Sequence, residues 1–183
     1  VFAGQMAEIA GWVAEHGMEE PHRIADLGAG AGAWTRALAR RFPCTDVLAV
    51  DRTEQMLARV RGAADEEGWG AHVRAVEADL NAGWPAPADL DLVWAASLLH
   101  ELPDPGALLR QTHTALRAGG LLAVVEMVGL PGFLPEPDLE ARCHAALREA
   151  GWNHDPDWTP HLADAGFELL ERRTFTAAPA TRR

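Results

Sequence analysis

Lysine and tyrosine are absent from this 183-residue sequence, and serine occurs once, at Ser97. Without lysine there is no amine for a P-loop and no Schiff-base nucleophile. Without tyrosine no mechanism can use a phenol. A serine hydrolase would rest on Ser97 alone, and no G-x-S-x-G elbow surrounds it. Basic charge is scarce as well: 16 arginines stand against 27 acidic side chains, a net charge of −11. Nucleic acid and anionic membranes both require a basic face, so neither is an expected partner. The cysteines are Cys44 and Cys143, with no Cys-x-x-Cys pair. That excludes a zinc framework and a disulfide pattern, and it fits a reducing cytoplasm. No apolar run reaches the roughly 18 residues of a membrane span, and no signal-peptide pattern precedes the first helical segment.

What is present is alternation. Phe2, Met6, Ile9 and Val13 recur at helical spacing and predict an opening helix that stops near Gly17. Apolar strand patterns follow at Arg23–Leu27, Thr45–Val50, His72–Glu77, Leu90–Ala95 and Leu121–Glu126. Helical patterns separate them at Trp34–Arg41, about Glu54 to Glu67, and Pro105 to about Arg117, the last ended by Gly119-Gly120. Five strand–helix units in succession predict an α/β fold, a doubly wound, mostly parallel Rossmann-like sheet with helices on both faces. Right-handed crossovers put the segments that follow the strands on one edge, where such sheets bind ligands.

The length predicts a single domain over 1–183. Its core covers about residues 20–127, and prolines and glycines then open a helical, lid-like insertion over 128–166. Within it Leu139–Ala150 and Trp158–Ala165 read as helices. A last strand, Phe167–Ala177, and a tail to Arg183 complete the chain.

The densest signal is Asp26-Leu27-Gly28-Ala29-Gly30-Ala31-Gly32, closing the first strand. Glycines let a backbone approach a ligand closely, and the following helix offers unpaired amides. Gly28, Gly30 and Ala33 also fit a dinucleotide fingerprint. Asp51 closes the second strand, where a carboxylate can accept both hydroxyls of a ribose, which suits either kind of cofactor. Asp79 and Leu80 follow the third strand. With Asp26 they surround the glycine loop with carboxylates, which repel a pyrophosphate and favour a ligand bearing an ammonium and a sulfonium.

These segments, taken in order, resemble a known family. Ile24-Ala25-Asp26-Leu27-Gly28-Ala29-Gly30-Ala31-Gly32, Val47–Asp51, Glu77-Ala78-Asp79-Leu80, and Asp91–Leu102 with Leu116–Leu121 are similar to class I S-adenosylmethionine-dependent methyltransferases of the small-molecule type. The resemblance implies S-adenosyl-L-methionine as cofactor and a small or medium-sized organic acceptor. It implies that the loop of Gly28, Ala29, Gly30 and Gly32 holds the methionine moiety, with Asp26 near its ammonium. Asp51 would take the ribose hydroxyls and Asp79 the adenine amino group, with Arg52, Met56 and Leu80 flanking the ring. Ala95, Ala96 and Ser97 would pass beside the methionine and sulfonium. Sheets of this family end in a sixth and an antiparallel seventh strand, so an incomplete antiparallel edge is expected here. A nicotinamide-dependent oxidoreductase and a catalytically silent cofactor-binding module are the competing readings.

Methyl transfer from a sulfonium needs a base only if the acceptor must lose a proton. His100, beside Glu101 just past the fourth strand, is the best-placed imidazole. His144, Trp152 and His154 lie in the lid-like region and are candidates for the acceptor face. His154, Asp157 and His161 are separated by Pro156 and Pro160, which break any single helix holding them on one face, so no metal is expected. The sequence does not indicate an oligomeric state.

Overall fold

Strands buried on both faces read as near-continuous apolar runs, and Leu90–Ala96, buried at every position, becomes a central strand for that reason. In order come α1 (Ala3–Ala14), β1 (Arg23–Leu27), α2 (Ala33–Arg41), β2 (Asp46–Asp51), α3 (Glu54–Glu66), β3 (Val73–Glu77) and β4 (Leu90–Ala96). A 3-10 turn (Leu99–Glu101), α4 (Pro105–Ala115), β5 (Leu116–Val125), α5 (Pro137–Glu149) and α6 (Thr159–Asp164) follow. The structure is a computed structural model that describes residues 3–85, 87–128, 134–150 and 157–176.

The sheet is parallel throughout, in the order β3-β2-β1-β4-β5. Its order reverses between β1 and β4, which makes their carboxyl ends the switch point. One face packs Ile24, Val47, Leu92 and Trp94 against Ile9 of α1, Leu38 of α2 and Val60 of α3. The other packs Leu27, Val50, Val93 and Ala95 against Leu108 and Leu109 of α4. Every residue of β4 is buried, and Trp94, fully enclosed, lies 4.9 Å from the ring of Trp34. Asp104 caps α4 by accepting the Ala107 N–H at 2.9 Å, with Pro105 in the first turn.

The amino edge of the sheet is tied by Asp91. Its buried carboxylate accepts the N–H groups of His22 and Arg23, both at 2.8 Å, and a bond from Arg117 Nε. Burial pushes this carboxyl up, but the Arg117 guanidinium and the two amides outweigh it and hold it below the usual carboxylate range.

Two expectations are corrected. The fifth strand begins at Leu116 rather than Leu121, and α4 stops at Ala115. Leu90 pairs with Leu116 and Leu92 with Leu121, so residues 117–120 bulge from the ladder opposite Asp91. Gly120 is required there, because a Cβ would sit 2.9 Å from the Leu90 carbonyl oxygen and 3.0 Å from that of Arg117. The last strand, read over Phe167–Ala177, is not formed over residues 167–176. That segment docks on α1 instead of a ladder. Glu171 Oε2 accepts from Trp12 Nε1 at 3.3 Å and faces His16 Nε2 at 2.9 Å, while Phe175 meets the Trp12 ring edge-on.

The helices of the insertion lie close to their expected bounds. Leu162 of α6, with Ala165 and Phe167 just beyond it, joins the apolar cluster built on α4. No side chain described on α5 is fully buried. Among the described residues no helix is long and apolar enough to cross a membrane.

Candidate active site

Five post-strand segments lie at the carboxyl edge, and hydrogen bonds join those after β1, β2 and β3 in one group and those after β4 and β5 in another. After β1 the backbone turns through Gly28, Gly30 and Gly32 at φ of 67°, 54° and 83°. Gly30 combines this left-handed conformation with open space, since nothing lies within 4 Å of where its Cβ would be. The chain thus presents bare backbone to a ligand at that point.

Asp51 fixes the loop. Its Oδ2 accepts the Gly30 N–H at 2.9 Å and its Oδ1 the Thr53 N–H at 2.9 Å. The Ala29 N–H donates to the Val50 carbonyl and the Ala78 N–H to the Asp51 carbonyl, each at 2.9 Å. The ends of β1, β2 and β3 therefore form one connected rim. Asp51 is half-buried, so its carboxylate keeps an open side. Arg52 and Asp79 are exposed, and Met56 and Leu80 are half-buried. Asp79 Oδ1 accepts both the backbone N–H and the side-chain amide of Asn81 at 2.9 Å.

Asp26 has a different setting. It is 1% exposed and accepts a hydrogen bond from Thr35 Oγ1 of α2 at 2.6 Å. Its carboxylate lies beneath the glycine loop and holds α2 against β1. Burial pushes its pKa up to about 7, against the bonds from Thr35 and with the help of nearby Asp51.

On the far side of the switch point, Ala95 and Ala96 are buried at the end of β4 and Ser97 is exposed with φ 51°. The Ser97 N–H donates to the Val125 carbonyl at 2.8 Å. Glu126, the residue after β5, does the rest. Its Oε1 accepts the Leu98 and Leu99 N–H groups at 3.1 and 2.9 Å, and its Oε2 lies 2.7 Å from His100 Nδ1. His100 Nε2 is 3.4 Å from Glu101 Oε1. The sequence reading missed Glu126, although the signal was there: an acidic residue closing an apolar strand, as Asp51 does.

The structure thus brings Gly28–Gly32, Asp51, Arg52, Met56, Asp79 and Leu80 to one half of the edge, and Ala95–Ser97 and His100 to the other. His144 is half-buried on α5. Trp152 and His154 lie outside the described residues.

A profile of the methyltransferase-domain family matches residues 24–120, the span that carries the glycine loop, Asp51, Asp79 and the turn after β4. The chain belongs to this family, within the class I S-adenosylmethionine-dependent methyltransferases. Curated relatives include a trans-aconitate 2-methyltransferase of Azoarcus sp. (strain BH72), 32% identical over 148 residues, covering 81% of this chain and 51% of the relative. One of the same name from Mycolicibacterium gilvum (strain PYR-GCK) is 35% identical over 152 residues, covering 83% of this chain and 52% of its own. The chain spans about half the length of these relatives. A solved putative O-methyltransferase from Nostoc punctiforme has a TM-score of 0.70 at 22% identity, covering 92% of this chain and 51% of that one. The [4+2]-cyclase SpnF has a TM-score of 0.67 at 22% identity, covering 90% and 59%. At that identity the two structures show the fold, and their differing reactions show that the sheet alone does not fix the chemistry.

Proposed function

We propose that this chain transfers the methyl group of S-adenosyl-L-methionine to a small or medium-sized organic acceptor. When bound, that cofactor supplies an electrophilic methyl on a sulfonium, an excellent leaving group. The residues fit it. Gly30 offers bare backbone beside open space, half-buried Met56 and Leu80 offer apolar surface, and Asp51 and Asp79 offer carboxylates to hydroxyl and amino groups. The carrying observation is Asp51. Two backbone amides aim its carboxylate across the end of β2, where a ribose diol would meet it.

In this reading Gly28, Ala29, Gly30 and Gly32 hold the methionine moiety above the buried Asp26. Arg52 flanks the adenine with Met56 and Leu80, while Ala95, Ala96 and Ser97 line the path of the reacting methyl. The chain's work is alignment and exclusion of water, with reacting atoms roughly 3–3.5 Å apart. His100 is its candidate base. The segment 128–166 covers the acceptor, which His144, Trp152 and His154 would face, all within one domain. A cytoplasmic setting agrees with the free, exposed Cys44 and Cys143, and a net charge of −11 goes with a small-molecule partner rather than nucleic acid.

Calorimetry with S-adenosylhomocysteine and NAD(P)H tests the reading directly. Binding of the first and not the second is expected, and the reverse would replace a transferase with an oxidoreductase. The cover is tested by hydrogen exchange. Weak protection of residues 134–150 in the free protein, rising with cofactor and acceptor, is expected. Exchange there as slow as in β4, with or without ligand, would make it a fixed part of the fold.

A further inference from the structure

We propose that residues 167–176 form a strap that protonated His16 fastens to α1, and that the strap loosens when His16 gives up its proton. The inference stands apart from the methyltransferase reading. Phe167, at the start of the strap, packs against the cluster that holds Leu108 and Leu109 of α4, on one face of the sheet. Near its end Phe175 packs against the cluster that holds Ile9 and Val13 of α1, on the other face. The strap therefore ties the end of the insertion to the first helix. It forms no helix or ladder of its own, so its hold on α1 depends on side chains. The Phe175 ring meets Trp12 edge-on at 5.6 Å, and the Phe175 carbonyl accepts from Gln5 Nε2 at 3.2 Å. Glu171 Oε2 takes both Trp12 Nε1 at 3.3 Å and His16 Nε2 at 2.9 Å.

Both ring nitrogens of His16 face groups that only accept hydrogen bonds. Nδ1 lies 2.9 Å from the Trp12 carbonyl oxygen, and Nε2 faces the Glu171 carboxylate. A neutral imidazole has a single N–H and satisfies one of the two, so the arrangement needs the imidazolium. The surroundings favour that form. The Trp12 carbonyl raises the His16 pKa above its ordinary value, outweighing the opposing effect of burial, and Glu171 and Glu15 raise it further. Arg173, the other charge the strap brings here, lies over the Phe175 ring at 4.9 Å. On α2, which packs against α1, Arg36 and Arg40 pair with Glu67 and Arg41 lies over the Phe42 ring. The sign follows from the raised pKa. The hold is complete below the ordinary value of 6.5 and is lost as pH rises through the value in the docked state. The neutral ring keeps its bond within α1 and its turn, and leaves Glu171 with Trp12 alone.

Nuclear magnetic resonance of the ligand-free chain tests the strap without any turnover. Long-range 1H–15N correlation spectra read the protons on His16. Exchange of the Trp12 Nε1–H, corrected for its intrinsic pH dependence, and Phe175–Trp12 ring contacts read the ratio of docked to free strap. Trp94, fully enclosed in the core, is the reference that does not change. At about pH 6 both His16 nitrogens are expected to carry protons. The His16 and Glu171 side chains are 25% and 47% exposed, so the effect is that of a surface pair. The docked-to-free ratio should fall about two- to fivefold between about pH 6 and pH 8.5. His16→Gln should hold the weaker ratio at every pH, whereas His16→Arg, charged throughout, should keep the stronger ratio at about pH 8.5. Glu171→Gln, a change on the strap itself, should also abolish the pH dependence and keeps the test decisive if a His16 variant fails to fold. A ratio that stays flat while His16 titrates, or a docked strap with one proton on His16 at about pH 6, overturns the proposal. So does a pH dependence that survives in His16→Gln or Glu171→Gln.

Discussion

Asp51 and Glu126 stand at the ends of β2 and β5, on opposite sides of the switch point, and each ties its strand to a neighbouring loop through backbone amides. Asp51 uses both oxygens on the backbone, one on Gly30 and one on Thr53. Glu126 uses one oxygen on the Leu98 and Leu99 amides and the other on an imidazole. The same device thus builds a rim of fixed backbone on one side, where the cofactor is proposed to bind, and a rim that carries an imidazole on the other. A third carboxylate, Asp26, sits between them but beneath the surface, bonded to Thr35, and serves the scaffold. What separates the three is exposure and partner rather than residue type.

The comparison breaks most severely at the glycine loop. Gly30→Val places a β-branched residue at φ 54°, with its side chain in space the protein leaves open. Binding of S-adenosylhomocysteine should become undetectable by calorimetry, with a stability loss of only a few kcal/mol in urea unfolding. Normal binding would place the methionine moiety elsewhere.

Asp26→Asn sharpens the contrast between buried and exposed carboxylates. The unfolded chain ionises this group near 3.8, whereas the folded protein holds the proton until about 7. Across that window the native state binds more protons, so wild-type stability falls as pH rises, by up to about 1.4 kcal/mol per pH unit from this group, and levels off above it. The substituted side-chain amide does not ionise and still offers an oxygen to Thr35. The variant should therefore gain on the wild type between pH 5 and pH 7 in paired urea unfolding curves. An unchanged difference would mean that Asp26 is ionised throughout.

Smaller in effect is Asp51→Ala, which removes a charge-assisted acceptor and should weaken S-adenosylhomocysteine about 10- to 150-fold with the fold retained. Asp51 would drop out of the cofactor rim if affinity were unchanged.

Much of this was legible in the sequence because the deciding interactions are local. β1 to β4 announce themselves by apolar runs, and the glycine loop and Asp51 by their places at strand ends. The rest depends on which elements become neighbours. The start of β5 turns on Gly120 against the Leu90 carbonyl, a contact that only the β4–β5 pairing creates. The alternation after Gly166 looks like a strand, but Glu171 and Phe175 find Trp12 on α1 and Glu171 also finds His16 just beyond it, and Leu169 and Leu170 remain exposed. Glu126 shares with Asp51 the visible mark of an acid closing an apolar strand, but its partners precede it by 26 to 28 residues and reach it only across the sheet. Thr35 likewise defines Asp26 only once α2 has packed on β1.

The most direct measurement is a crystal structure with S-adenosylhomocysteine bound. The ribose hydroxyls should lie about 2.6–3.2 Å from Asp51, with Asp51 still accepting the Gly30 N–H, and the adenine amino group should face Asp79. The sulfur should sit over Ala95–Ser97, on the side of the edge where Glu126 holds His100. A ribose bound elsewhere on the edge, or an Asp51 carboxylate turned away from it, would contradict the division of the site between the two strand-closing carboxylates.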